Sequence, residues 1–242
     1  INAGARFNTH SEYGNQVVYN FNPSYSFENL PLKVLASYST AFITPSLYQL
    51  YGPYGNLNLT PEENATAEFG FESQLLDKKL TINAVGFYRK EENTFGFFYD
   101  SSTFESFYIN NEGINNAKGV EASIRYALSE RFNIGGNYTF TEVPKHKANV
   151  DLSYKFKRGT FGMQYQFVDK RSDAYYDSNI WATQAVNLAA YQLVNSNVSY
   201  ELLPNRLHIF GTVTNILNED FQEIIGYNSR GRNYKLGLNF MF

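Results

Sequence analysis

The chain has 242 residues and a formal net charge of −3, with 43% hydrophobic and 17% aromatic residues and no cysteine. That length suits one all-β domain or one barrel spanning 1–242, and the missing cysteines exclude disulfides and thiolate metal sites. The slightly acidic balance and the lack of any Lys/Arg cluster argue against a phosphate-binding surface, so no nucleic-acid partner is expected.

No run of 18 or more apolar residues occurs, so no transmembrane helix is expected, but strands that are apolar on one face only escape that criterion. Ile1-Asn2-Ala3-Gly4-Ala5 enters as if in mid-strand and no signal peptide precedes it, so the chain reads as a piece of something longer. Ile1 to Thr9 is a first strand and Gln16 to Phe27 a second, with Pro23 as an irregularity. Glu28 to Pro31 turns the chain into Leu32 to Ala41. A long irregular stretch, 42–63, holds Pro45, Gly52, Pro53, Gly55 and Pro61.

Asn64 to Leu76 alternates clearly, with Ala65, Ala67, Phe69, Phe71 and Leu75 on one phase and Glu68, Gly70, Glu72 and Gln74 on the other. After Asp77-Lys78 the chain returns through Leu80, Ile82, Ala84 and Tyr88 towards Tyr99, and a loop, 100–105, leads into Phe107 to Leu128. Phe132 to Phe140, Ala148 to Phe156 and Phe161 to Phe167 follow, joined at Ser129-Glu130, 142–145 and Lys157-Arg158-Gly159. A stretch from Arg171 to Ala190 is read as a loop carrying Tyr175, Tyr176 and Trp181. Tyr191 to Leu202 and Arg206 to Thr214 form a hairpin, and 215–232 is a last loop.

The closing stretch Asn233 to Phe242 sets Tyr234, Leu236, Leu238, Phe240 and Phe242 against Asn233, Lys235, Gly237 and Asn239. Successive strand side chains point to opposite faces, so this is a ribbon with one apolar and one polar side. At about ten residues it is longer than the usual five or six.

That makes twelve strands. Their connections alternate between tight turns (28–31, 77–78, 129–130, 157–159, 203–205) and mostly longer loops (10–15, 42–63, 100–105, 142–145, 172–190, 215–232). Short turns at one end and longer loops at the other are the pattern of a transmembrane β-barrel, and ten to twelve tilted residues span its apolar band of roughly 25 Å. Arg125, Lys155, Lys235, Glu68, Glu72, Glu121 and Asp151 all fall on the polar phase. A Lys or Arg at the bilayer midplane costs roughly 2–4 kcal/mol, so that phase faces a lumen and the apolar phase faces lipid. The expectation is specific: Ile124, Leu152 and Leu238 on one face, Arg125, Asp151 and Lys235 on the other. Tyr88, Tyr126, Phe132, Phe140, Phe156 and Tyr200 are candidates for interfacial aromatic girdles.

The segment Ser37 to Glu62 resembles the barrel of TonB-dependent outer-membrane receptors. The matching residues are Phe42, Pro45, Leu47, Tyr48, Gly55, Asn56, Leu59, Pro61 and Glu62, followed by Glu68 and Gly70. The stretches Asn111-Glu112-Gly113 with Gly119-Val120-Glu121, Thr214 to Asn218, and Gly226-Tyr227 with Gly231 to Tyr234 match as well, and Gln49 to Asn56 is most similar to the cobalamin receptors. The resemblance implies the C-terminal portion of a 22-strand barrel in the bacterial outer membrane. It further implies uptake of a corrinoid or ferric siderophore, outer-membrane lipid and lipopolysaccharide around the barrel, and a C-terminal Phe read by assembly machinery. It also implies a plug domain, the remaining barrel strands, and TonB acting indirectly through the plug, none of which this chain contains. Twelve strands alone would leave two bare edges in lipid. Either the remaining strands come from elsewhere or these twelve close into a smaller barrel, and the sequence leaves both open.

Ligand contact is expected at Tyr48, Tyr51, Tyr54, Asn56 and Asn58 in one loop and at Tyr175, Tyr176 and Trp181, with Asp177, in another. Aromatic rings bury large area while their polar tips hydrogen-bond; the competing reading is that these residues pack the loops or touch lipopolysaccharide. Haem receptors resemble this region but carry a histidine where none lies between Phe42 and Leu59, and His10, His146 and His208 are scattered and read as structural. Asp100, Glu105, Asp173 and Asp177 lack calcium-loop spacing, so no metal or cofactor is expected. The N-x-S/T matches at Asn64, Asn137 and Asn197 carry no meaning in a bacterial barrel. A lipid-face esterase needs a serine beside His146, and none is evident, so an enzyme is not expected. The alternative to a receptor is a passive porin or an autotransporter-type barrel.

Overall fold

The computed structural model describes residues 1–100 and 102–241. The elements in chain order are β1 (Asn2–His10), β2 (Gly14–Asn22), β3 (Ser24–Ser26), β4 (Leu32–Ile43), α1 (Leu47–Tyr51), β5 (Glu62–Leu75), β6 (Leu80–Glu92), β7 (Phe95–Tyr99) and β8 (Ser106–Asn110). They continue with β9 (Ile114–Ala127), β10 (Phe132–Phe140), β11 (His146–Phe156), β12 (Gly159–Val168), β13 (Arg171–Asp177), β14 (Ala182–Leu188), β15 (Tyr191–Leu203), β16 (Leu207–Thr214) and β17 (Asn233–Phe240). One sheet runs β1-β2-β4-β5-β6-β9-β10-β11-β12-β15-β16-β17, with β3 paired to β4, while β7-β8 and β13-β14 are separate two-stranded sheets. The twelve strands read from the alternation are the twelve on this path. Two compact units divide the chain, the first formed by 1–71 and 85–119 and the second by 72–84 and 120–242.

In the first unit β1 and β2 pair from Asn2↔Asn22 to His10↔Gly14, leaving a connection of only three residues where a longer one is expected at 10–15. Proline has no N–H to give a ladder, and the strand read over 16–27 breaks at Pro23 into β2 and β3. β2 and β4 pair at Asn20↔Ser39 and Phe21↔Tyr38. Beyond that point the Thr40 hydroxyl, not a main-chain carbonyl, accepts from the Tyr19 amide at 3.1 Å. A cleft of about 310 Å³ opens there, walled by Val17, Tyr19, Thr40, Phe42, Asn64 and Lys90. Asn93 (φ 56°) and Gly113 (φ 97°) break the long strands read through 99 and from 107, so β7 and β8 leave the main sheet as their own hairpin.

In the second unit the ladder fixes which residues share a face. Arg125, Gly135, Asp151 and Gln164 form one cross-strand row, and Tyr126, Ile134, Leu152 and Met163 form the next row on the opposite face. Ile124 pairs with Gly136, and Leu238 with Ile209, while Lys235 pairs with Thr212. Followed across β12, β15 and β16, the pairings put Ile124, Leu152 and Leu238 on one face and Arg125, Asp151 and Lys235 on the other, as expected. The apolar face is uncovered in this chain, with Leu236 85% and Leu238 67% exposed. The buried large apolar side chains are Leu59 in the first unit and Val168, Leu188 and Tyr191 in the second, among the described residues. All four lie in or beside the connecting segments, not in the middle of the sheet. A soluble sandwich would bury the middle of its strands instead.

Glycine makes room on the polar face. A Cβ at Gly135 would stand 2.7 Å from an Asp151 carboxylate oxygen, so the carboxylate lies across its neighbour strand. Gly237 does the same for the Phe210 ring, over which the Lys235 ammonium stands 5.8 Å from the centroid. The tight turns at 128–131, 157–158 and 204–206 alternate with the longer connections 141–145, 169–190 and 215–232 along this antiparallel run. β17 ends at Phe240, and the expectation for Phe242 lies outside the described residues.

Candidate functional site

Residues 44–61 are not irregular throughout, because a short helix organises them. Ser46 caps α1: its hydroxyl accepts from the Gln49 amide at 3.3 Å, and Gln49 Oε1 accepts from the Ser46 amide at 2.9 Å. This reciprocal pair satisfies two otherwise orphaned donors. Gly52 N–H donates to the Tyr48 carbonyl (2.9 Å), and Asn56 N–H to the Gln49 carbonyl (2.9 Å), folding the chain back on the helix. Side chains at Gly52 and Gly55 would collide with the Tyr48 and Leu50 carbonyls. The Gly-Pro-Tyr-Gly-Asn run is therefore loop shape.

This loop is stitched to β8. Asn56 Nδ2 donates to the Tyr108 carbonyl (2.8 Å), and the Tyr108 amide donates to the Tyr54 carbonyl (3.0 Å). Asn110 accepts from the Thr60 amide (2.8 Å) and donates to the carbonyls of Thr60 (3.0 Å) and Asn93 (2.6 Å). Rings then meet edge-on: Tyr48 with Tyr108 at 6.3 Å, Phe97 with Tyr108 at 5.3 Å, and Tyr54 with Phe97 at 5.5 Å. Tyr51 projects clear of this network at 71% exposed. It stands near Tyr13 of the β1–β2 turn, whose phenol is pushed above its usual range by burial first and by Tyr51 second.

Of the first expected set, Tyr48 and Tyr54 thus present rings to one aromatic surface, and Tyr51 stands apart from it. Asn56 is spent on holding the loop, and its Oδ1 accepts from the Asn58 amide at 2.9 Å. Phe97 and Tyr108 belong to the surface and are absent from the expected set. The signal that could have found them is the dense aromatic run F-G-F-F-Y facing S-F-Y-I-N, registered Phe97↔Tyr108 and Phe98↔Phe107.

The second expected set lies on a hairpin, β13–β14, where the sequence suggests a loop. Tyr175 and Tyr176 are consecutive strand residues and so point to opposite faces of the ribbon, opposite Gln184 and Thr183. Trp181 stands at the turn with φ 53° and 73% exposure. The two sets belong to different compact units. At its base this hairpin is fastened to the 215–232 connection. Arg171 Nη2 donates to the Gln222 carbonyl (2.7 Å) and the Tyr191 hydroxyl to Glu223 (3.0 Å), while Tyr191 stacks on Phe221 at 4.4 Å. Asp173 accepts from the Ile225 amide (2.7 Å) and from its neighbour Ala174 (2.8 Å); these bonds, Ile225 first, hold its carboxyl below the usual value.

Two of the other loop carboxylates are turn-makers. Asp100 accepts from the Ser102 amide and hydroxyl, and Asp177 from the Asn179 amide and side chain. Of the histidines, His10 accepts from the Glu12 amide, His146 is hydrogen-bonded to the Tyr138 hydroxyl, and His208 faces Glu201 at 3.9 Å.

Long antiparallel strands with one apolar and one polar face, tight turns alternating with elaborated connections, and apolar side chains left uncovered define the class of membrane-spanning β-barrels. The family model "TonB dependent receptor-like, beta-barrel" matches residues 1–216. The chain belongs to the TonB-dependent receptor family, a family of transporters and receptors, and supplies part of its β-barrel. It is similar to the vitamin B12 transporter BtuB of Vibrio cholerae serotype O1, at 32% identity over 267 aligned positions, covering 100% of this chain and 40% of that protein. The chain thus spans less than half the length of the curated relatives it matches.

Its fold is similar to that of the siderophore receptor PirA from Acinetobacter baumannii (TM-score 0.82, 16% identity, 99% of this chain and 43% of that one). The pyoverdine receptor FpvA from Pseudomonas aeruginosa PAO1 is similar too (TM-score 0.77, 20% identity, 95% and 36%).

Proposed function

We propose that the protein containing this chain is an outer-membrane receptor that imports a scarce, bulky nutrient, a corrinoid ahead of a ferric siderophore. The observation that carries the reading is the similarity to a vitamin B12 transporter along the whole chain. In this reading residues 1–242 form one portion of the barrel wall with its extracellular connections. The face bearing Ile124, Leu152 and Leu238 meets lipid, with lipopolysaccharide at the outer rim. The face bearing Arg125, Asp151 and Lys235 lines a lumen that a plug domain and the remaining strands complete, and TonB drives transport through that plug. Tyr48, Tyr51, Tyr54 and, on the second hairpin, Tyr175, Tyr176 and Trp181 contact ligand; Asn56 and Asn58 shape the loop beneath.

The test is uptake of radiolabelled vitamin B12 by cells whose own corrinoid transporter has been deleted and which express the whole protein in the outer membrane. Uptake is expected, and it is expected to vanish when TonB is also deleted. Equal accumulation with and without TonB would make the barrel a passive pore and sink the receptor reading.

A further inference from the structure

The aromatic surface of the first unit has an electrostatic character that bears on what it takes. No Lys or Arg occurs from Phe42 to Glu63 or from Glu91 to Ala117, the two segments that supply α1, its loop and the β7–β8 hairpin. Those segments carry seven carboxylates, of which Glu91 and Glu92 are neutralised by Arg89 (3.0 Å) and Lys90 (2.7 Å). Glu62, Glu63, Asp100, Glu105 and Glu112 remain. Asp100 is held below its usual carboxylate range by bonds from Ser102, so it stays ionised. On these same segments the rings are well presented, with Tyr48 57%, Tyr54 47% and Phe97 51% exposed. Ring faces carry negative potential as well.

We infer that this surface selects a ligand without net negative charge, neutral or cationic, that lays an apolar face on the rings and offers amide or hydroxyl edges to the phenols. It is built to refuse a polyanion. A ferric catecholate complex is such a polyanion, and binding one calls for Arg or Lys, the residue types suited to anions. Here carboxylates stand instead, and repulsion of like charge disfavours the wrong ligand as effectively as contacts favour the right one. This inference rests on the uptake reading above and narrows it towards a corrinoid, whose ring edge bears amides.

The experiment uses the purified whole protein in detergent and measures binding of two probes, vitamin B12 and ferric enterobactin, at about 0.1 M and 1 M salt, where the screening length falls from about 10 Å to 3 Å. Vitamin B12 is expected to bind with little salt dependence. Tyr54→Ala with Phe97→Ala is expected to weaken it roughly thirty-fold or more, the usual loss for aromatic anchors. Ferric enterobactin is expected to be rejected at low salt and to gain affinity in the Glu105→Lys, Glu112→Lys protein. Ferric enterobactin bound more tightly than vitamin B12 by the unmodified protein overturns the charge inference and leaves the receptor reading standing. Vitamin B12 bound tightly but indifferent to the aromatic substitutions places the site elsewhere and overturns the inference in another way. Failure of both probes to bind overturns the inference together with its corrinoid and siderophore premise.

Discussion

Asn215 shows how much a single residue decides here. It is 4% exposed, sits in the left-handed region at φ 50°, and holds the 215–232 connection from inside. Its Oδ1 accepts from the Glu219 amide (2.8 Å), and its Nδ2 donates to the carbonyls of Glu219 (2.8 Å) and Arg230 (3.2 Å). Asn218, also left-handed at φ 55°, accepts from the Arg232 amide at 3.0 Å. The Thr-Asn-Ile-Leu-Asn run is recognisable as a family feature, but its work depends on distant partners such as Asn195, Arg230 and Arg232 that no local pattern names. Asn215→Ala loses three bonds at about 1 kcal/mol net each and adds about 1 kcal/mol for a left-handed alanine, giving roughly 3–4 kcal/mol of local destabilisation. Asn215→Gly removes the same bonds without the backbone penalty and should recover about 1 kcal/mol of it. Trypsin cleavage after Arg230 and Arg232 reports opening of the connection. The expected order of cleavage rate is Ala, then Gly, then the unmodified protein, and equal rates for all three would mean that Asn215 does not hold the loop.

At the scale of elements, strand alternation was legible because it is a period-two property of neighbouring residues, and β5, β10, β11, β15 and β17 lie within a few residues of where the pattern puts them. The small sheets were not, since β13–β14 shows no clean apolar alternation and is held at its base by long-range bonds from Arg171 and Asp173 to the 222–225 segment. Likewise the rings of Tyr48 and Tyr54 could be singled out from composition, but their neighbours Phe97 and Tyr108 come from a hairpin some fifty residues on. The fastening at Asp173 makes a pH prediction. The charged group acting on it is Arg171, on its own strand. Its folded-state carboxyl is depressed below its ordinary value of 3.8, so its stabilisation is present above that pH and is lost as pH falls through the lower folded value. Hydrogen exchange at the Ile225 amide should be slow at neutral pH and should accelerate, beyond the intrinsic pH effect, only below 3.8. Asp173→Asn, which cannot titrate, should show exchange that is faster at neutral pH and has no such step. Protection of Ile225 that ignores both acid and the substitution would mean the connection is held without Asp173.

At the scale of the whole molecule the governing feature is that the sheet has two chemically opposite faces, and the proposed membrane setting assigns each one a solvent. Ile124 and its chain neighbour Ser123 test that assignment, because they sit side by side on β9 with side chains on opposite faces. Ser123 accepts a hydrogen bond from Asn83 at 3.2 Å and lies in a polar notch of about 160 Å³ with Thr81, Arg125, Asn137 and Asp151. A guanidinium at that position enters a water-accessible, carboxylate-bearing neighbourhood and should cost less than about 1 kcal/mol, the scale of an ordinary surface substitution. Ile124 is 49% exposed on the apolar face. An arginine there would meet hydrocarbon, at roughly 2–4 kcal/mol near the midplane. The measurement is refolding of the whole protein into lipid bilayers across a denaturant series, read by the shift of the heat-modifiable band. Ile124→Arg should lower the folding free energy by at least about 2 kcal/mol relative to Ser123→Arg in bilayers. In detergent micelles, where a long side chain reaches water easily, the gap should shrink. A soluble sheet packed face-down on a partner would also suffer from Ile124→Arg, but equally in micelles and in bilayers. The dependence on the surrounding medium is therefore what separates lipid from protein as the partner of the apolar face, and a gap of the same size in both media would assign that face to a protein neighbour.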